Sequence, residues 1–272
     1  NTEGYSRQRV QLKEFDPLYK PDLERPERPG MIGQGIDVNS VKRIRDELLD
    51  QRIVAQANLE SYWQTRSDYY NMIEQVYNEP DDISIRSNMD QFWTSWQELS
   101  VNPEDKAARQ AVVTRGETLT DSIKQKWESL DGIGQLLDGD IEATVKQVNS
   151  YARQIADVNG EIVRSRAMGD NPNDLLDRRD LLVDKLSELV NVTTDQRDGD
   201  EFMVHVDGKV LVQGSISRQI DVVPRYDDTG TNKLIWKDTG NDAKFSGGKL
   251  GALVELRDVD IRQEIQSLNT MT

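Results

Sequence analysis

The chain contains no cysteine in 272 residues. That excludes disulfides, thiolate metal sites and a cysteine nucleophile, and it leaves the compartment open. Histidine is nearly absent too. The single one, His205, lies in Phe202-Met203-Val204-His205-Val206-Asp207-Gly208, where alternation puts it on a strand face. It has no second histidine for a zinc site and no oriented partner of the kind a general base needs. No apolar run approaches the roughly 20 residues that span a bilayer. Asn1 in place of an initiator Met reads as the interior of a longer protein, so the lack of a visible signal peptide carries little weight. Basic residues are outnumbered 34 to 49, for a net charge of −15. This balance disfavours nucleic acid, whose phosphates call for basic contacts, and an anionic membrane surface. An acidic excess of this kind mainly confers solubility and weak self-repulsion. The length allows one or two domains.

What is present is mostly helical periodicity. Residues 1–36 carry Pro17, Pro21, Pro26, Pro29, Gly30, Gly33 and Gly35, which argues against a helix. A short strand is expected from Arg7 to Lys13, and extended chain packed along the rest. From Asn39, a candidate cap, to about Asn78 the apolar spacing turns helical, and Pro80 ends it. A second helix is expected over 85–100, with Met89, Phe92 or Trp93, Trp96 and Leu99 as a core stripe. Asn102-Pro103-Glu104-Asp105 has the chemistry of a helix start: a capping amide, proline at the first position and acids at the positive dipole end.

From Trp127 through Leu130, Gly134, Leu137, Ile141, Thr144, Val148, Tyr151, Ile155 and Val158 to Ile162, apolar or small residues alternate four and three apart over about five heptads. Ile133, Val145 and Ala152 widen the seam, as a bundle requires. Gly132, Gly134 and Gly139 mark a place for a kink. Another helix follows Asn173, a candidate cap. Thr193 to Trp236 is rich in Val, Ile and Thr, with Asp207-Gly208 as a two-residue hairpin turn. Gly247-Gly248 leads into a last helix. The expected fold is mainly α with a small β domain (α+β). It comprises an extended segment (1–36), an elongated antiparallel helical bundle (37–191 and 246–272) and an inserted antiparallel β domain (192–245).

Candidate chemistry is sparse. Asp174, Asp177, Asp180 and Asp184 share a broad helix face. They could serve a metal-dependent hydrolase, but a solvated or subunit-facing stripe paired with Arg178 and Arg179 needs less. Asp195, Asp198, Asp200 and Glu201 lack the order of a calcium loop and read as a turn, as does Asp227-Asp228-Thr229-Gly230. Gly33-x-Gly35 precedes a presumed helix but follows no buried strand, so a phosphate cradle is a weak reading. A serine triad would depend on His205 alone, without an elbow motif. No cofactor is expected.

Four ordered blocks carry a resemblance. Asn1-Thr2-Glu3-Gly4-Tyr5-Ser6-Arg7 resembles the segment after the N-terminal helix of flagellar axial proteins. Gly33-Gln34-Gly35-Ile36 with Arg43 and Asp46 is similar to a second axial-protein pattern. Ser100-x-Asn102-Pro103 with Arg109 is the third. Asn173-Asp174-Leu175-Leu176-Asp177-Arg178-Arg179-Asp180 is the fourth, echoed by Gly247-Gly248-Lys249-Leu250-Gly251 and Arg257-Asp258. The last two resemble the flagellar hook-associated protein 1 family, which forms the hook–filament junction.

The resemblance implies a non-enzymatic structural adaptor, exported through the flagellar type III apparatus and placed outside the cell, or in the periplasm if the flagellum is enclosed. The implied partners are the hook protein, the second hook–filament junction protein, copies of itself in a ring, and an export chaperone acting through a C-terminal segment. That segment and its N-terminal coiled-coil counterpart are absent from this stretch, so a monomer is expected for it. The β insertion is short for the family. Another axial protein is the nearest alternative. As positive points on an acidic chain, Arg7, Arg9, Arg43 and Arg45 are the candidate subunit contacts.

Overall fold

The computed structural model describes residues 3–15, 18–19, 31–32, 35–77, 84–197, 201–224 and 231–271. The chain forms two compact units. One comprises residues 1–56, 151–186 and 192–217, and the other 57–150, 187–191 and 218–272.

In the first unit, β1 (Gln8–Glu14) pairs antiparallel with β4 (Ile36–Arg43), with a register shift at Gln11/Leu12, and β2 (Leu18–Tyr19) pairs with β3 (Met31–Ile32). The strand at 8–14 is the expected one. Residues 36–43 are not: the sequence places a helix start at Asn39, whereas the chain stays extended to Arg43. Ile36, Val38 and Val41 are β-branched and favour a pleated surface, and helix α1 (Glu47–Tyr77) begins only after Asp46. The Asp46 carboxylate accepts from the amides of Leu48 (3.0 Å) and Leu49 (3.3 Å), so Asp46 is the cap. Gly35 therefore precedes a strand, and the helix N-terminus that a phosphate cradle requires is not there. Gly33 lies outside the described residues.

The first unit also holds the end of α3 (Lys106–Ala167), most of α4 (Asn173–Leu189) and a meander of β5 (Val192–Arg197), β6 (Glu201–Val206), β7 (Lys209–Gln213) and β8 (Ile216–Ser217). Asp207 (φ 47°) and Gly208 (φ 78°) make the expected tight turn between β6 and β7. Ile155, Ile162, Leu186, Val204 and Leu211 are fully or almost fully buried and form its core. His205 is half-buried on β6, opposite Thr193 and Val210.

The second unit contains the rest of α1 and α3, α2 (Ile85–Val101), the hairpin β9 (Ile220–Pro224) and β10 (Asn232–Trp236), α5 (Gly248–Glu255), a π-helical turn (Leu256–Asp260) and α6 (Ile261–Met271). The strands expected within 192–245 thus form two separate sheets, one in each unit. The turns at 198–200 and 227–230 fall outside the described residues. Asn149 of α3 holds β9 through a paired contact: its side-chain amide donates to the Ile220 carbonyl (2.7 Å) and its oxygen accepts from the Ile220 amide (2.9 Å).

Ser84 caps α2. Phe92 lies over Gly116 of α3, but Trp93 and Trp96 are 57% and 45% exposed, so the aromatic stripe is only half core. The most buried positions on α2 are Asn88 and Ser95. Asn102 does not start a helix. Its amide donates to the Glu98 carbonyl and closes α2, and Asp105 caps α3 by accepting from the Ala107 amide at 2.8 Å.

The seam lies in one helix: α3 runs 62 residues and continues through all three glycines. Leu130, Leu137, Ile141 and Val148 are fully buried, Thr144 nearly so, and Gly134 passes Ile261 of α6 at van der Waals distance. Gly132 is exposed, with nothing near the place a Cβ would take. Gly132→Ala is expected to raise stability by about 0.5–1 kcal/mol, through helix propensity and a less disordered unfolded chain. A shift of the urea midpoint to higher concentration at unchanged slope checks this.

Candidate assembly site: an anchored ribbon

The richest polar constellation ties the base of the β1–β4 ribbon to α4. Asp177 and Asp180 are one turn apart and face the ribbon. One Arg43 guanidinium nitrogen donates to Asp177 Oδ1 (2.6 Å) and to Asp180 Oδ2 (2.8 Å). The Ser6 amide donates to Asp177 Oδ2 (3.1 Å). Arg45 bonds to Asp50 (2.8 Å) and the Ser6 hydroxyl (3.3 Å) and pairs with Asp180 at 3.3 Å. The side-chain amides of Asn171 and Asn173 both donate to the Val41 carbonyl. Asn173 therefore does not cap its own helix but reaches the ribbon. Gly4 lets the chain pass close to Leu181.

Burial by itself would raise the Asp177 carboxyl. The Ser6 hydrogen bonds and the Arg43 charge outweigh it and hold the group below the ordinary carboxylate range. Asp177 is 6% exposed. These acids are thus not the solvated or subunit-facing stripe the spacing implies. Asp174 alone stays exposed, and Arg179 turns inward to stack on Phe202, 3.8 Å from the ring centre. Arg43 and Arg45 are spent within the chain, whereas Arg7 and Arg9 are exposed.

The second unit has its own charge network, which sequence spacing did not reveal. Arg66 pairs with Glu255 (2.9 Å) and Asp260 (3.0 Å) and donates to Tyr70 (2.6 Å). Tyr62 bonds to Glu255. Arg257, 4% exposed, pairs with Asp138 (2.7 Å) and Asp258 (2.8 Å), and Tyr69 donates to Asp140 (2.9 Å). Burial would lower the two arginines, but their acidic partners raise both. Burial and Asp140 together push the Tyr69 hydroxyl up. The π turn supplies Arg257 and Asp260 to this network. Its only sequence signal was Arg257-Asp258.

Among the described residues, no group of three or more Asp, Glu or His side chains is placed to hold a metal ion, and no helix is long and apolar enough to cross a membrane.

Residues 70–272 match the family model described as the flagellar hook-associated protein FlgK helical domain. The chain belongs to the FlgK family. It is 34% identical to flagellar hook-associated protein 1 of Bacillus subtilis over 78% of this chain and 42% of that protein. With the Salmonella typhimurium protein of the same name it shares 31% identity over 100% of this chain and 49% of the relative. The Escherichia coli K12 protein is 30% identical over 100% and 50%. The chain thus spans about half the length of the curated relatives it matches or less. A solved structure described as the flagellar hook junction protein FlgK from Burkholderia pseudomallei superposes with a TM-score of 0.67 at 28% identity, covering 76% of this chain and 39% of that one.

Three of the four FlgK-like blocks meet in space. Gly4 and the neighbouring Ser6, Arg43, and Asn173 with Asp177 and Asp180 converge at the ribbon base. The Asn102–Arg109 block lies elsewhere and stays local, with Arg109 donating to the Pro103 carbonyl at 2.9 Å. Tyr5 is exposed, and Asn1 and Thr2 lie outside the described residues.

Proposed function

We propose that this chain is a non-enzymatic structural part of the bacterial flagellum, exported from the cell and placed at the junction between hook and filament. Family membership and the names of the relatives, hook-associated protein 1 and hook junction protein, support this reading. One observation carries the non-enzymatic part. Two of the four carboxylates that a hydrolase would use, Asp177 and Asp180, are occupied by Arg43, Arg45 and Ser6 and fasten a strand ribbon to a helix. The partners in this reading are the hook protein, the second hook–filament junction protein, further copies of the chain in a ring, and an export chaperone. Arg7 and Arg9, both exposed, are the subunit contacts. Antibody labelling of intact flagella tests the placement. Label confined to the tip of the hook is expected, whereas label along the filament or along the whole hook would assign the chain to another axial role.

A further inference from the structure

We propose that the β1–β4 ribbon is a docking element that binds the acidic helical surface of a second copy of this chain. The inference rests on the assembly reading above and specifies its contact. Cross-strand register puts Val10 with Val41, Leu12 with Val38, and Ile36 with Glu14 at the far end on one mainly apolar face of the ribbon, and Arg9 with Lys42, Gln11 with Ser40, and Lys13 with Asp37 on the other. Val10, Leu12, Ile36 and Val38 are 48–63% exposed. Arg9, Lys13 and Lys42 are exposed as well.

A two-stranded ribbon does not support itself in water. Among the described residues, this one is fixed near Arg43 and Val41, by the α4 aspartates and by Asn171 and Asn173, and neither outer edge pairs with another strand. The anchoring holds out a ribbon with one apolar face and one basic face. The occupant is named by charge. The ribbon's second face carries Arg9, Lys13 and Lys42 against Asp37 alone, on a chain of net charge −15, so the complement of the ribbon is the rest of the same chain. Nucleic acid would be repelled by that same excess and would leave the apolar face uncovered. Ribbon and receiving surface are different patches, so the contact is heterologous and propagates from copy to copy, as a ring or helical array requires.

The test places a photoreactive benzophenone amino acid at Leu12 of the protein as the cell makes it, in flagellated cells. The expected product is an adduct of two copies whose cross-linked peptide comes from the helices. Lys13→Glu combined with Lys42→Glu should lower its yield at least fivefold. An adduct with a different protein, a ribbon-to-ribbon adduct, unchanged yield after charge reversal, or no adduct in cells with attached filaments would each overturn the proposal. The junction reading fails separately, if cells lacking the chain still attach filaments.

Discussion

Asp177→Ala is expected to lower unfolding stability by about 3 kcal/mol, because it removes half of the buried acceptor pair that holds Arg43 and leaves the buried Ser6 amide unpaired. Arg43 would keep only Asp180, and the Ser6 amide would lose its acceptor. Asp174→Ala, on the exposed side of the same helix, should change stability by less than about 0.5 kcal/mol. The pH dependence has a definite sign. The folded-state pKa of Asp177 lies below its unfolded value of about 3.9, so the unfolded chain binds the proton first. The stabilisation is in full force above about pH 4 and fades as pH falls through the folded value. The gap between wild type and Asp177→Ala should therefore close in acid. Urea titrations of both proteins from pH 7 down to pH 2.5 measure it. A gap that stays constant or widens in acid would contradict the role given to the carboxylate.

Gly248→Ala should have an effect at least as large, more than about 3 kcal/mol. Gly248 opens α5 at φ 62°. A Cβ there would stand 2.6 Å from the Leu189 carbonyl carbon and the Val190 amide nitrogen, and 2.7 Å from the Leu189 oxygen. All three are main-chain atoms, which cannot rotate aside as the tip of a side chain can. Gly240 separates the two causes. It has φ 68° with open space around it, so Gly240→Ala carries only the left-handed backbone term, about 1–2 kcal/mol. Thermal or urea unfolding of the two variants checks the ranking. Equal losses would mean that the close approach to α4 contributes nothing.

Local signals in the sequence translated directly into structure. The Asp207-Gly208 turn and the seam from Leu130 to Ile162 both depend on neighbours a few residues away and appear where the sequence puts them, whereas Trp127, the expected first seam residue, is 40% exposed. The glycines in the seam did not break α3, because tertiary packing of Leu130, Leu137 and Ile141 outweighs their propensity penalty. Where two caps competed, spacing chose the wrong one. Asn39 and Asn102 have capping side chains, but the helices are capped by Asp46 and Asp105, directly before the backbone turns helical. The ribbon base was hidden for a different reason. Arg43 and Asp177 are 134 residues apart, and the aspartate spacing gives their helix face without saying what covers it. The FlgK-like motifs pointed to these residues. Their chemistry became legible only when strand and helix were brought together.

The proposed role of this anchored, largely helical chain is that of a structural link between hook and filament. The most direct measurement is electron microscopy of cells lacking the gene, compared with cells complemented by the intact gene or by its Asp177→Ala form. That role predicts bare hooks with filament protein shed into the medium, attachment restored by the intact gene, and poorer restoration by Asp177→Ala. Filaments attached at normal frequency in the deletion strain would contradict it.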